Sequence, residues 1–390
     1  MKIDPYKHKE KYQAWKKKIS EIGYIEGISK INSDLILKYV SDMELGINIS
    51  NVSVKGARSY IRLNNLKQRM IFLSKRFEEV YKIKNITDLT EAQIITFFAK
   101  MRNGEVKRID GGQYKSVADF VKILKAFWHW HMKVSKKAGK RIEDITEDLD
   151  CSKDKPQWVY LNESQVKQMY ENAKYKYKVL IMFLFDTGIR SPSELANVKV
   201  SDIINNCREL NIRDEISKTF GRRIKLMLCS EIVKEYIKLN NLTQEDYLFK
   251  ICPPVVNKYL KRLSQKLFGD EKSLAGQKYS DLTMYDFRHC SCCYWLPRYK
   301  SESALKFRFG WKKSDKIHYY SEMLGMRDTI SDEDLLVDIT KTEIEKQLLN
   351  SKKENEIMKE RLRLLEKQMK TIAELMEQTA NKGEMIFRLE

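Results

Sequence analysis

Helical periodicity dominates this 390-residue chain and gives way in one place, between Asp202 and Leu228. There Ile203-Ile204, Leu210-Asn211-Ile212 and Ile224-Lys225-Leu226-Met227-Leu228 read as short strands, with Phe220-Gly221 the turn signal between the last two. Helical patterns resume with Val255 to Leu267 and continue to about residue 325. The fold class is therefore mainly α with a small β-sheet. A helical bundle comes first (1–150), then a linker (151–160), an α+β domain (161–330) and a long helical tail (331–390).

In the amino-terminal part, Ser33 is positioned to cap a helix carrying Leu35, Leu37, Val40 and Met43. A long pattern runs from Val54 to Tyr81, and Thr90-Glu91-Ala92-Gln93 is a capping box ahead of Ile94, Ile95, Phe97 and Phe98. Val117, Phe120, Val121, Leu124, Phe127, Trp128 and His131 repeat at helical spacing, beside the solvent-side Lys122 and Lys125. Four or five helices follow from this, with the aromatics as core. The segment from Glu147 to Pro156 has few core formers and reads as the interdomain connection; Asn162-Glu163-Ser164-Gln165 caps the next helix.

Charge narrows the partner. Lys and Arg outnumber Asp and Glu by 73 to 54, a net charge of +19, which favours a polyanion without choosing among DNA, RNA and an anionic membrane. The opening Met1 to His8 is polar, and no apolar run reaches the roughly 18 residues that span a bilayer. A cytoplasmic setting is expected, in which the seven cysteines stay reduced. Cys290 and Cys293 form one Cys-x-x-Cys, but Cys151, Cys207, Cys229 and Cys252 offer no second pair. Cys290, Cys292 and Cys293 read as small core residues, and no metal or other cofactor is expected.

Four scattered groups carry the chemistry. Arg190 lies in Asp186-Thr187-Gly188-Ile189-Arg190-Ser191-Pro192-Ser193-Glu194-Leu195, just ahead of what reads as another capping box, so that a helix start would share an anion with it. Lys218 precedes a turn that also holds Arg222 and Arg223, all three read as facing solvent or a polyanion. Arg288 and His289 follow Tyr285, and Gly310-Trp311 precedes Tyr320 by nine residues. Two arginines, a lysine and a tyrosine suffice to break a phosphodiester covalently without a metal: guanidiniums offset charge on the phosphorus oxygens while tyrosine attacks.

In order and spacing this set resembles the tyrosine recombinase (phage integrase) family over roughly residues 30–325, and the Asp186 to Leu195 wording looks most like integrases of archaeal plasmids and viruses. The resemblance implies a helical domain and a catalytic domain clamping a specific duplex, with Lys122, Lys125, Arg222 and Arg223 on DNA. It implies that Arg190 and Arg288 hold the scissile phosphate, Lys218 protonates the leaving 5′-oxygen and Tyr320 forms a 3′-phosphotyrosyl enzyme. Glu194 and His289 would support, and Trp311 would fill a position shared by His and Trp. Integration or excision of a mobile element in the nucleoid, without metal or ATP, follows as the expected activity, by a homo-oligomer that is a tetramer on DNA.

Three departures bear on this. Tyr285 stands where the family has His, and tyrosine cannot act as a cationic acid at neutral pH. Glu194 follows Arg190 by four residues where three is usual, and Tyr319 adjoins Tyr320 as an alternative nucleophile. They motivate a second reading, a decayed recombinase kept as a DNA-binding or architectural protein. A type IB topoisomerase shares the chemistry but fits the Thr-Gly-x-Arg motif less well.

The tail has its own pattern. Ile344, Leu348, Met358, Leu362, Leu365, Met369, Ile372 and Met376, with Ser351 and Asn355 between, keep three- and four-residue spacing over about five heptads. Self-association through a coiled coil is the expectation, a long helix packed on its own body the alternative.

Overall fold

The computed structural model describes residues 2–49, 56–152, 156–299 and 301–323, with a few helical residues between 351 and 369. The first hydrophobic cluster is built by five helices: α1 (His8–Ile22), α2 (Lys30–Leu45), α3 (Tyr60–Tyr81), α4 (Glu91–Arg102) and α5 (Val117–Lys137). Their apolar stripes meet at Ile36, Met70, Leu73, Phe77, Phe97, Leu124 and Phe127, all essentially inaccessible. Each such side chain contributes roughly 1.5–3 kcal/mol of burial. The aromatics are core, as expected; Trp130 also donates its indole N–H to Asp42 at 2.7 Å.

The box at Thr90 and Gln93 caps α4 as read, whereas α2 starts earlier than Ser33. Ser29 caps it, and Ser33 lies buried in the helix, its hydroxyl accepting from the Ile25 N–H at 2.8 Å. Asn32 explains the shift, bridging the Glu78 carboxylate and the Ile86 N–H from inside the first turn. α3 begins at Tyr60 rather than near Val54, which lies outside the described residues.

The second cluster runs from Trp158 to Tyr320. α6 (Glu163–Asn172) is capped by Asn162 and Gln165, and α7 (Tyr175–Thr187) is buried along Val179 to Thr187 except for the partly exposed Met182. Three antiparallel strands follow in the order β1 (Ile203–Ile204), β2 (Glu209–Ile212) and β3 (Arg222–Lys225), with Leu210 opposite both Ile203 and Ile224. Then come α8 (Ser230–Leu239), α9 (Pro253–Phe268), α10 (Asp286–Trp295), α11 (Glu302–Phe309) and α12 (Asp315–Met323). Cys290, Cys292 and Cys293 are buried in α10 as core.

Two sequence expectations fail here. β2 and β3 are joined by a nine-residue loop, 213–221, rather than by a tight turn at Phe220-Gly221, and β3 stops at Lys225. After Arg190 the chain makes a turn and one 3₁₀ turn at Leu195–Asn197, not an α-helix. The capping box never forms because Glu194 is engaged with arginines, and the Ser191 hydroxyl has no bonding partner. Arg190 therefore sits in a turn and not at a helix start.

The chain passes between the clusters after Leu149, which is buried in the first, and before Trp158, which is buried in the second. A second link comes from the amino-terminal arm: the Ile3 backbone exchanges two hydrogen bonds with the Asn197 side chain, at 2.6 and 3.0 Å. Among the described residues no helix is long and apolar enough to cross a membrane. In the tail, Ser351, Asn355, Met358, Leu362, Leu365 and Met369 are helical and exposed. Ile344, Leu348, Ile372 and Met376 lie outside the described residues.

Candidate active site

Gly188, at the end of α7, and Gly310, at the end of α11, bring the two arginines together. Arg288 is on the first turn of α10 and is buried, donating to the carbonyls of Gly188 at 2.5 Å and Phe309 at 2.6 Å. Arg190 donates to the neighbouring Gly310 carbonyl at 2.7 Å and to the Thr219 hydroxyl at 3.3 Å. Burial and the like charge of Arg190 pull Arg288 down to about 10, which leaves it cationic at neutral pH. Gly310 is required on two counts. Its φ is +62°, and a Cβ there would stand 3.0 Å from an Arg222 nitrogen and 3.2 Å from an Arg190 nitrogen.

Glu194 is the hub of this cluster. One carboxylate oxygen accepts from the Arg190 guanidinium at 2.5 Å, and the other accepts from the Arg190 N–H at 3.1 Å and from Arg222 at 2.9 Å. Burial pushes its carboxyl up, but the bonds and charge of Arg222, then the charge of Arg190, hold it at about 2. Arg222 was expected on DNA; instead its side chain is wholly inaccessible, paired with Glu194 and donating its Nε–H to the Arg308 carbonyl. A second buried pair, Arg308 with Asp186 at 2.8 Å, ties α11 to α7 behind the arginines; sequence reading did not find it. Asp186 also accepts from the Leu228 and Cys229 N–H groups.

Lys218 is exposed in the β2–β3 loop, one residue before Thr219, whose hydroxyl donates to the Gly310 carbonyl at 2.9 Å. Arg223 and Lys122 are exposed, while Lys125 donates to the Glu147 carbonyl at 3.0 Å.

Tyr320 lies on α12, 3 % exposed, and its hydroxyl is hydrogen-bonded to Nδ1 of His289. Its ring is parallel to that of Trp311 (5.9 Å, 13°), which in turn stacks on Phe309. Burial drives the hydroxyl far above its ordinary value, and the Arg288 charge opposes this in part. Tyr285 is half exposed and meets the His289 ring edge-on at 5.2 Å. The adjacent Tyr319 faces elsewhere: its hydroxyl accepts from the Trp158 indole at 2.8 Å and donates to the Pro156 carbonyl at 2.9 Å. Trp158 was not anticipated as part of the site.

Arg190, Glu194, Arg222, Arg288, His289, Trp311 and Tyr320 thus form one connected cluster, with Lys218 on its rim. It offers cations for an anion, a nucleophile and a base beside it.

Residues 159–325 match the phage integrase family. No curated protein sequence matches the chain. Three solved structures share its fold at TM-scores just above one half. The Tn1549 transposon integrase in complex with circular intermediate DNA aligns at 0.53, with 16 % identity over 76 % of this chain and 98 % of that one. XerH site-specific recombinase bound to palindromic difH substrate aligns at 0.54, with 13 % identity over 77 % and 95 %. A lambda integrase dimer bound to a COC′ core site aligns at 0.51, with 15 % identity over 80 % and 79 %.

Proposed function

We infer that this chain, whose residues 159–325 form a phage integrase family domain, is a site-specific DNA recombinase that cleaves and rejoins duplex DNA through a phosphotyrosyl intermediate. The observation that carries the reading is the convergence on Phe309, Gly310 and Trp311 of two arginines and a tyrosine bonded to a histidine.

The scissile phosphate displaces the carbonyl contacts of Arg190 and Arg288, and the guanidiniums take its non-bridging oxygens. Permanently charged, preorganised donors suit the charge that grows there in the five-coordinate transition state. With the neutral His289 ring protonated on Nε2, Nδ1 accepts the Tyr320 proton as the phenolic oxygen attacks phosphorus. The bond to the 5′-oxygen breaks, and Lys218, exposed on the rim beside Thr219, supplies that oxygen's proton. Attack by a 5′-hydroxyl of a partner strand reverses these transfers and frees Tyr320. Glu194 and Arg222 position Arg190, and Trp311 packs the nucleophile.

The substrate is a duplex carrying a recombination site, clamped between the two helical clusters with Lys122 and Arg223 toward its backbone. The protein acts as a homo-oligomer, a tetramer on DNA, assembled in part through the heptads of the tail. The Asp186 to Leu195 wording supports integration or excision of an archaeal plasmid or virus in the cytoplasmic nucleoid.

Covalent trapping on nicked duplexes from the element and its host tests the reading. An adduct stable to denaturation, lost in Tyr320→Phe and kept in Tyr319→Phe, is expected. Loss only in Tyr319→Phe would move the nucleophile by one residue. Tight binding with no adduct would favour the decayed, architectural protein that Tyr285 motivates.

A further inference from the structure

Two consecutive tyrosines on α12 are held by different partners, and one indole touches both. Tyr319 is tied by its hydroxyl to Trp158 and to the Pro156 carbonyl. Tyr320 is tied to His289. The Trp158 indole stacks on the His289 ring at 4.7 Å and 27°, and meets the Tyr320 ring edge-on at 6.2 Å and 76°. Pro156 to Trp158 is where the chain leaving the amino-terminal cluster enters the second one. It is seated there by the backbone: the Trp158 N–H donates to the Ala275 carbonyl and its carbonyl accepts from Gln277, both at 3.3 Å.

We propose that Trp158 and Tyr319 are positioning residues that couple the interdomain segment to the nucleophile, so that Tyr320 is aligned on His289 only while Pro156 to Trp158 is seated. The reasoning is geometric. Tyr319 and Tyr320 share one stretch of helix backbone, so their rings cannot move independently along the chain. The indole forms one wall for both the nucleophile and the imidazole that takes its proton. A displacement of the segment removes the wall and pulls on Tyr319 at once. Misplacing a reacting group by about an ångström costs on the order of 100-fold in rate. A clamp that has not closed on DNA would thereby hold an unaligned tyrosine, and cleavage would follow domain closure.

The inference rests on the recombinase reading, and two measurements on the full chain separate the two. Single-turnover adduct formation on nicked duplex is compared for wild type, Tyr319→Phe, Pro156→Gly and the double variant, with DNA affinity measured in parallel. Amide hydrogen exchange of α12 is followed in the same four proteins. Tyr319→Phe keeps the ring and loses both hydroxyl bonds; about tenfold slower cleavage at unchanged affinity is expected. Pro156→Gly loosens the acceptor's backbone and should slow cleavage similarly. In the double variant the effects should fail to add, because both break one coupling. Trp158→Phe, retaining an aromatic wall without the N–H, should fall between Tyr319→Phe and wild type.

Additive losses, or unchanged cleavage in Tyr319→Phe, would overturn the coupling. So would faster exchange in α12 with normal cleavage, which makes the tether a packing feature alone. If wild type itself forms no adduct, the recombinase reading fails. The coupling then stands or falls on whether Pro156→Gly and Tyr319→Phe loosen α12 equally.

Discussion

Replacing Arg222 by Met is the most exposing perturbation of this site, because Arg222 and Glu194 are both wholly inaccessible and touch through both carboxylate oxygens. Held at about 2 against 4.5 for an unconstrained glutamate, Glu194 stabilises the fold by roughly 3 kcal/mol at neutral pH. Its folded value is depressed, so this contribution is fully present above about pH 4.5 and is lost as pH falls toward about 2. Arg222→Met leaves a buried carboxylate with Arg190 and the Ser217 hydroxyl as its remaining partners, and breaking a buried pair from one side costs roughly 3–5 kcal/mol. Burial then pushes Glu194 up, so the variant gains relative to wild type as acid protonates it. Urea unfolding at pH 7 and pH 4.5, followed by fluorescence, should show a gap that narrows on acidification. Adding Glu194→Gln should recover at least about 1 kcal/mol of the loss, since the two residues share one interaction. A loss below about 1 kcal/mol, or a gap independent of pH, would refute the reasoning that Arg222 is held inside to charge-balance Glu194.

Lys218→Ala should slow cleavage by roughly 10²–10⁴-fold, the range for a lost general acid; a duplex with sulfur at the 5′-bridging position, whose thiolate leaves unprotonated, should restore most of the rate. Gly310→Ala should cost roughly 1–2 kcal/mol from its left-handed backbone and abolish adduct formation by crowding Arg190 and Arg222. Gly139→Ala, at φ +78° with nothing within 4 Å, should show a similar melting shift and normal cleavage. Truncation before Ile344 should lower the oligomeric state on DNA in sedimentation and reduce recombination while leaving cleavage of a single site intact.

Much of this site is legible in the sequence because the chemistry needs particular residue types in a fixed order. Arg190, Lys218, Arg288 and Tyr320 can be named without coordinates. Their partners are harder. Arg222 follows a basic turn and looks like a DNA contact, yet the clue to its burial is present: it shares the two-residue period of Ile224 and Leu226, and β3 alternates buried and exposed from Arg222 to Lys225. Treating Phe220-Gly221 as a tight turn hid that parity. Trp158 could not be found, because its contacts with His289 and Tyr319 join residues 131 and 161 positions apart through tertiary packing. The box after Arg190 misled for a related reason: a distant arginine outbid the local backbone for the Glu194 carboxylate.

The departure at Tyr285 has a histidine one helical turn away. Residues 285 and 289 lie four apart, on one side of the start of α10, and their rings are in contact. His289, expected in a supporting role, places its Nδ1 against the Tyr320 hydroxyl. A buried hydroxyl raised far above its ordinary value cannot ionise unaided near neutral pH, so attack needs an acceptor for its proton at the moment the bond forms. His289→Gln separates orientation from proton transfer: the amide oxygen can still accept the tyrosine hydrogen bond, but it takes no proton at accessible pH. If His289 is the base, adduct formation falls by roughly 10²-fold or more with DNA affinity unchanged. It should not return when His is placed at 285 alone, because the side chain there is half exposed and meets the ring at 289 edge-on, whereas the Tyr320 hydroxyl is bonded to position 289. Normal cleavage by His289→Gln would leave the histidine an orienting role and require the proton to pass to the phosphate itself.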